Sequence, residues 1–324
     1  MKRLLFIGPK FYNYHEIIKQ GFERAGYEVD YFDDRPDTNF ITKALVRLNK
    51  NLIKRKIRKY FDNIKAKVSS TQYDVIFVLY GQSFSKEMIE ELKAESPSSR
   101  FVFYMYDPIS SMPDRIEFAQ VFDDCYSFDY DDCQTCDNFK LIPLFYSFEN
   151  YPVEEIKYDA CALLTMMPGK YESIRTMVNG LENKGLNVYR KYILQSKLVW
   201  LYYKLTNKEF RHSKSKEFFY KRLPKEEANK VLMQSKYILD CPKEEQTGLT
   251  IRTFEALAAN KKLITTNKTI VNYDFYRLEN IYVFDGEFNF DDIFFHSDYI
   301  PVDESIKENY SIDSWVRQIL QNCK

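Results

Sequence analysis

Apolar residues along the chain follow two alternating periods. Leu4–Ile7 is a short apolar run that stops at Gly8-Pro9, and Ile17, Ile18 and Phe22 then recur at helical spacing until Gly26. Tyr27–Phe32 alternates as a strand does. Asp74–Tyr80 (DVIFVLY) and Arg100–Met105 (RFVFYM) are nearly continuous apolar runs, the pattern of parallel strands buried on both faces. Between them Lys86–Ala94 has a helical period, and short strands are expected at Cys125–Phe128 and Leu141–Phe145. Strands that alternate with helices imply a parallel sheet.

The second half repeats the theme. Strands are expected at Asp159–Leu164, from Gly185–Val188 onward, and at Lys236–Asp240, Lys262–Thr265 and Ile281–Phe284; helices are expected at Tyr171–Leu181 and Thr250–Ala259. A last helix over Ser311–Gln321 has Ser311 or Asp313 to cap it. The polar stretch Ser147–Lys157 holds Pro152 and lacks apolar periodicity, so it reads as the boundary. The expected fold class is α/β: two Rossmann-like doubly wound domains facing a cleft. They would span residues 1–150 and 151–310, with 311–324 packing back toward the first. Ligands in open α/β sheets sit beyond the carboxyl ends of the strands.

Length and composition fit this. The 324 residues suffice for two domains, and 45% hydrophobic with 29% charged residues indicates core-forming chain. The 47 basic and 47 acidic side chains cancel, which argues against nucleic acid as a partner. Leu4–Ile7 is too short for a signal-peptide core, and no run reaches bilayer-spanning length. A cytoplasmic location is expected, and six cysteines as reduced thiols agree with it. Cys133 and Cys136, with Cys125 nearby, lack the second pair or the histidines that a zinc site needs, so no metal is expected.

The most informative chemistry lies in Lys236–Asn267. A buried strand runs through a polar loop into Gly248-Leu249-Thr250 and a helix bearing Arg252 and Glu255. The amino end of that helix offers unpaired N–H groups and a positive dipole to a diphosphate. Arg252 could neutralise phosphate charge, and Glu255 could accept from a hydroxyl pair. The loop Thr165–Lys170, with Gly169 and Lys170, is a second candidate phosphate contact; an ordinary turn is its alternative. In the first half, Gly8 and Lys10 follow the first strand, where an acceptor would enter, unless this is a simple turn. His15 either touches a phosphate, caps a helix or packs in the interior. Asp107, at a strand end, either binds an acceptor hydroxyl and acts as base, or initiates a turn before Pro108.

The run GLTIRTFEALAANKKLITTN (248–267) resembles the donor-binding segment of retaining GT-B glycosyltransferases, especially the short ones of bacterial capsule, exopolysaccharide and lipopolysaccharide synthesis. DVIFVLYGQ, RFVFYMYDP and LIPLFYSFEN extend the likeness over nearly the whole chain. The resemblance implies that Glu255 contacts the nucleotide ribose and that basic side chains contact the diphosphate. Larger members carry a second glutamate eight residues earlier; here that position is Thr247, with Glu244 and Glu245 nearby. It further implies a nucleotide-sugar donor, a glycan or lipid-linked acceptor, no separate cofactor and no divalent metal. Retention rests on the resemblance, and inversion with Asp107 as base stays open. A non-catalytic binding protein that recruits a glycosyltransferase or glycan to a membrane is the alternative reading.

Two stretches are strongly basic. Residues 43–67 hold ten Lys or Arg against Asp62, with a helical apolar stripe at Leu52, Ile53, Ile57, Tyr60, Phe61 and Ile64. Residues 190–225 hold eleven against Glu209 and Glu217, with Trp200, Tyr202, Tyr203 and Phe219 among the interleaved aromatics. Each suits an anionic membrane surface at which the protein would be peripheral, or else a stripe packed on a sheet beneath a solvated basic face.

Overall fold

The computed structural model describes residues 2–10, 13–37, 42, 50–147, 154–221 and 223–323. Residues 11–12 of the glycine-bearing loop, 43–49 of the first basic stretch and 148–153 of the expected boundary lie outside the described residues. The chain forms two compact units, Met1–Ser147 with Ser311–Lys324, and Phe148–Tyr310.

In the first unit the elements are β1 (Lys2–Ile7), α1 (Tyr14–Arg24), β2 (Tyr27–Phe32), α2 (Lys54–Ser70), β3 (Val75–Leu79), α3 (Lys86–Glu95), β4 (Arg100–Met105), α4 (Asp114–Ala119), β5 (Asp124–Ser127), α5 (Tyr130–Thr135) and β6 (Phe139–Leu141). The six strands pair in parallel in the order β2-β1-β3-β4-β5-β6. All of β3 is buried, as its unbroken apolar run requires. The strand expected at Leu141–Phe145 is displaced to Phe139–Leu141. Its ladder follows β5 only as far as Ser127↔Leu141, and Pro143 has no N–H with which to extend it. Tyr146 instead bridges Ser311, ahead of the C-terminal helix (Ile312–Ile319).

That helix belongs to the first unit. Ser311 caps it by accepting from the Ser314 N–H at 3.1 Å. Trp315 is buried among the rings of Phe22, Phe77, Tyr104 and Phe145. Gly21 of α1 allows the close approach: a Cβ there would lie 3.0 Å from Val316 and 3.3 Å from Ile312.

The second unit contains β7 (Tyr158–Thr165), α6 (Tyr171–Asn183), β8 (Val188–Ile193), α7 (Lys197–Thr206), β9 (Phe218–Phe219), α8 (Lys225–Met233), β10 (Ser235–Asp240), α9 (Ile251–Ala258), β11 (Lys262–Thr265), β12 (Ile281–Val283), α10 (Ile293–His296) and α11 (Glu304–Glu308). Its strands are also parallel, in the order β12-β11-β10-β7-β8-β9. Gly185 belongs to the stop of α6, with φ +88°, and the strand begins three residues later at Val188. Sequence progression reverses between β1 and β3 in one sheet and between β7 and β10 in the other. These are the switch points at which loops diverge and leave room for a ligand.

The helical part of the first basic stretch's apolar stripe packs into the core, while Leu52 ahead of it is exposed. Ile57, Phe61 and Ile64 are buried under the first sheet, in line with the alternative of a stripe packed beneath a solvated basic face. Burying those side chains against the sheet stabilises more than leaving them on the surface.

Candidate functional site

The second unit gathers candidate residues at its switch point. β7 ends at Thr165, and its loop turns through Gly169, whose φ of +84° favours glycine, to Lys170, the residue before α6. The Gly169 N–H donates to both carboxylate oxygens of Glu209, at 3.0 and 3.2 Å. An anion from a distant segment therefore sits on the N–H that the sequence offers to a phosphate.

Next door, β10 ends in Asp240, which is buried. Burial pushes its carboxyl above the usual range, opposed by the charge of Lys170, the Thr250 hydroxyl bond and the charge of Arg252. The Thr250 hydroxyl donates to Asp240 at 2.8 Å. Thr250 is the residue before α9, yet its side chain does not cap the helix. A serine or threonine there ordinarily accepts from the first turn's N–H groups; here the hydroxyl is committed to Asp240, and the Thr253 N–H donates to the Thr250 carbonyl at 3.1 Å instead.

The loop that leads into α9 is tied to the end of β11. Asn267 Nδ2 donates to the carbonyls of Thr247 at 3.0 Å and Gly248 at 3.2 Å, and the Thr269 hydroxyl donates to the Thr247 carbonyl at 2.5 Å. Gln246 Nε2 donates to the Gly248 carbonyl at 2.7 Å. Leu249, offered by the sequence as part of the nucleotide loop, is buried, with its side chain in the interior. Thr247 thus contributes through its backbone, and Glu244 and Glu245 are exposed.

Arg252 and Glu255 lie one turn apart and bond each other, with Nη1 2.8 Å from Oε2. They are 24% and 17% exposed, so the pair is partly shielded from solvent without being sealed. A nucleotide that used either side chain would have to share or open this pair.

The first unit holds its candidates differently. Gly8 lies at the end of β1, where a Cβ would come 2.7 Å from the Phe6 ring and 3.0 Å from Leu79, so packing alone requires glycine. Its carbonyl accepts from the Tyr31 hydroxyl at 2.9 Å. The Lys10 N–H donates to Asp33 at 3.2 Å, and its carbonyl accepts from Arg35 at 3.4 Å. Asp34 is fully buried and accepts from the Gln82 N–H at 2.9 Å, with Arg35 3.4 Å from its other oxygen. Burial pushes the Asp34 carboxyl well above the ordinary range despite Arg35.

His15 is buried against the Tyr31 ring, 5.3 Å between centroids, and Nε2 is 3.5 Å from Glu16. Burial lowers its pKa, which favours the neutral ring. Asp107 follows β4 and is partly exposed beside Tyr106, whose phenol is held well above its usual range by burial and by the Asp107 charge. The turn that carries Asp107 is fastened from behind, because both oxygens of buried Asp132 accept from the Ile109 N–H, at 3.0 and 3.2 Å.

The sequence reading missed Asp240, Glu209 and the Asp33-Asp34-Arg35 cluster. The polar end of the KYILD strand was a usable signal for Asp240, and DDR directly after the second strand for the cluster. Glu209 gave none, since forty residues separate it from Gly169. Among the described residues no group of three or more His, Cys, Asp or Glu is placed to hold a metal ion. Cys125 is buried and Cys133 half-buried, and burial pushes both thiols up to about 12.

Two parallel six-stranded sheets with interleaved helices define the two-domain α/β architecture of the GT-B class. Anabaena HepE in complex with UDP and glucose superposes with a TM-score of 0.56 at 9% identity, over 99% of each chain. The catalytic domain of Arabidopsis thaliana starch synthase IV, bound to ADP and acarbose, gives 0.59 at 8% identity, over 98% of this chain and 94% of that one. S. aureus MnaA with UDP gives 0.51 at 11%, over 99% and 95%. The likeness is one of fold. The sequence matches no family model, and no curated protein is significantly similar to it.

Proposed function

We propose that this chain is a GT-B glycosyltransferase that binds a nucleotide-diphosphate sugar at the carboxyl ends of β7, β10 and β11. The observation that carries the reading is the Glu209 carboxylate on the Gly169 N–H beside Lys170. It marks an anion seat at the switch point, where a diphosphate would replace it. The start of α9 carries no side-chain cap, and the positive end of its dipole favours an anion there. Structures of the same fold bind nucleotide diphosphates: HepE and MnaA hold UDP, and starch synthase IV holds ADP.

In this reading Lys170, the α9 N–H groups and Arg252 stabilise the charge of the departing diphosphate, which is electrostatic work by groups already in place. Glu255 accepts from the ribose hydroxyls once its bond to Arg252 is shared. The first unit takes the acceptor, a growing surface glycan or its lipid-linked form, with Gly8, Lys10 and His15 on the acceptor side. Asp107 orients the attacking hydroxyl. The resemblance of the 248–267 segment favours retention of configuration and a metal-independent reaction.

A second reading is favoured by the same geometry. Thr247 stands where larger enzymes carry a glutamate, and Arg252 and Glu255 satisfy each other. A non-catalytic protein that recruits a glycosyltransferase or glycan would tolerate both features. Thermal shift with uridine, guanosine, adenosine and thymidine diphosphates separates the two. A nucleotide at 100 times its dissociation constant stabilises by about 2.7 kcal/mol. A shift for one nucleotide that disappears in Lys170→Ala and Glu255→Ala supports the transferase. No shift with any of them, in a folded protein, rejects it.

A further inference from the structure

The second basic stretch does the opposite of the first. Helix α7 has no fully buried residue. Its inner side, Val199, Trp200 and Tyr203, packs partly against the core of the second unit, and Trp200 Nε1 donates to Ser213 at 3.0 Å. Leu198, Leu201, Tyr202 and Leu205 are 74%, 45%, 62% and 77% exposed. Their spacing of three, four and seven residues puts them on one helix face, a contiguous apolar patch of a kind that soluble surfaces seldom leave open.

The charge around this face is one-sided. Lys197, Lys208, Arg211, Lys214 and Lys216 are exposed. The only acids between Arg190 and Lys225 are turned inward. Glu209 accepts from Gly169, and Glu217 accepts from the Tyr171 hydroxyl at 2.6 Å and the Lys214 N–H at 2.7 Å. The apolar stripe therefore lies in a stretch whose exposed charges are cations and whose two acids are bonded into the domain. A helix that buries three leucines and a tyrosine to the depth of the headgroups, with lysine and arginine at the rim, matches an anionic bilayer surface in shape and charge.

We propose that α7 is the membrane-docking helix of this protein, that its ligand is the surface of an anionic phospholipid bilayer, and that Leu198, Leu201, Tyr202 and Leu205 insert while the flanking cations meet the headgroups. The inference does not depend on the transferase reading. If it holds, Glu209, three residues beyond α7, links the docked helix directly to the Gly169 seat.

The test is co-sedimentation of the full chain with vesicles of phosphatidylcholine alone or with a quarter phosphatidylglycerol. It is run for the wild type, for Leu198→Ser with Leu205→Ser, and for Lys208→Glu with Arg211→Glu. The substituted positions are exposed, and an unchanged melting temperature verifies that each variant is folded. The wild type is expected to bind the anionic vesicles, at least tenfold more weakly in high salt and at least tenfold more weakly to neutral lipid. Each variant is expected to lose at least tenfold. Failure of the wild type to bind, or equal binding by the leucine variant, overturns the proposal. So does a wild-type dimer in sedimentation velocity that the leucine variant converts to monomer without affecting any vesicle binding, since the face would then be a subunit contact.

Discussion

Helices α2 and α7 look alike in sequence, both basic and both striped with apolar residues, yet they have opposite fates. In α2 the stripe is the buried one, and its cations find acids on the helix itself and on neighbouring elements. Arg58 binds Glu91 in two-pronged fashion, at 2.5 and 2.8 Å, and Asp62 at 2.9 Å. Lys65 reaches Glu91 and Glu95, Lys67 reaches Asp30, and Lys56 pairs with Asp37. In α7 the more exposed stripe carries the leucines, and the acids of its stretch point into the domain. The lesson is that an amphipathic basic pattern specifies two faces without specifying which face meets protein. That choice is made by the neighbouring acids and by the sheet beneath.

The contrast can be broken in four places. Phe61→Ala should cost about 3–5 kcal/mol in urea unfolding, because a fully buried ring leaves a cavity over the sheet; a neutral result would show that α2 is not a core helix. Glu91→Gln should cost on the order of 1 kcal/mol at neutral pH, since the ion pairs are partly exposed and solvent-screened. The hydrogen bond from Arg58, helped by Lys65, holds the Glu91 carboxyl down at about 2. A depressed folded pKa gives stability that is present above the ordinary carboxylate pKa and lost as pH falls through about 2. The cost of Glu91→Gln should therefore shrink as unfolding is repeated at falling pH, and a constant cost would assign Glu91 a packing role only.

Glu209→Ala tests the link from α7 to the anion seat. Removing a competing carboxylate should tighten nucleotide diphosphate binding about fivefold by calorimetry, the equivalent of one modest hydrogen bond. Weaker binding would mean that Glu209 holds the Gly169 loop in shape instead of occupying the seat. The smallest effect is expected for Leu198→Ser with Leu205→Ser. Surface changes away from buried features stay within about 0.5 kcal/mol of stability per site, and a larger loss would show that this face is covered within the chain.

The strand and helix pattern was legible because it is written in local periodicity. The buried strands Val75–Leu79, Arg100–Met105 and Lys262–Thr265 lie where their apolar runs place them. Errors arose where local pattern and pairing disagree, as at Leu141–Phe145, where Pro143 and the end of β5 cut the ladder short. Within the candidate site, Gly169, Lys170, Gly248, Thr250, Arg252 and Glu255 could be named because loops after parallel strands and the starts of helices carry their chemistry in sequence order.

The sequence by itself determined the alternating α/β elements, the parallel sheets they imply and the helix start that can face an anion, since these follow from backbone geometry and the spacing of apolar residues. Tertiary structure alone decided that Glu209 lies on the Gly169 N–H, that the Thr250 hydroxyl goes to Asp240 and not to its own helix, and that Trp315 closes the first unit. It also decided which of two similar helices is buried. Each of these is a contact between residues far apart in the chain, and such contacts are set by competition for partners in three dimensions, which no local periodicity encodes.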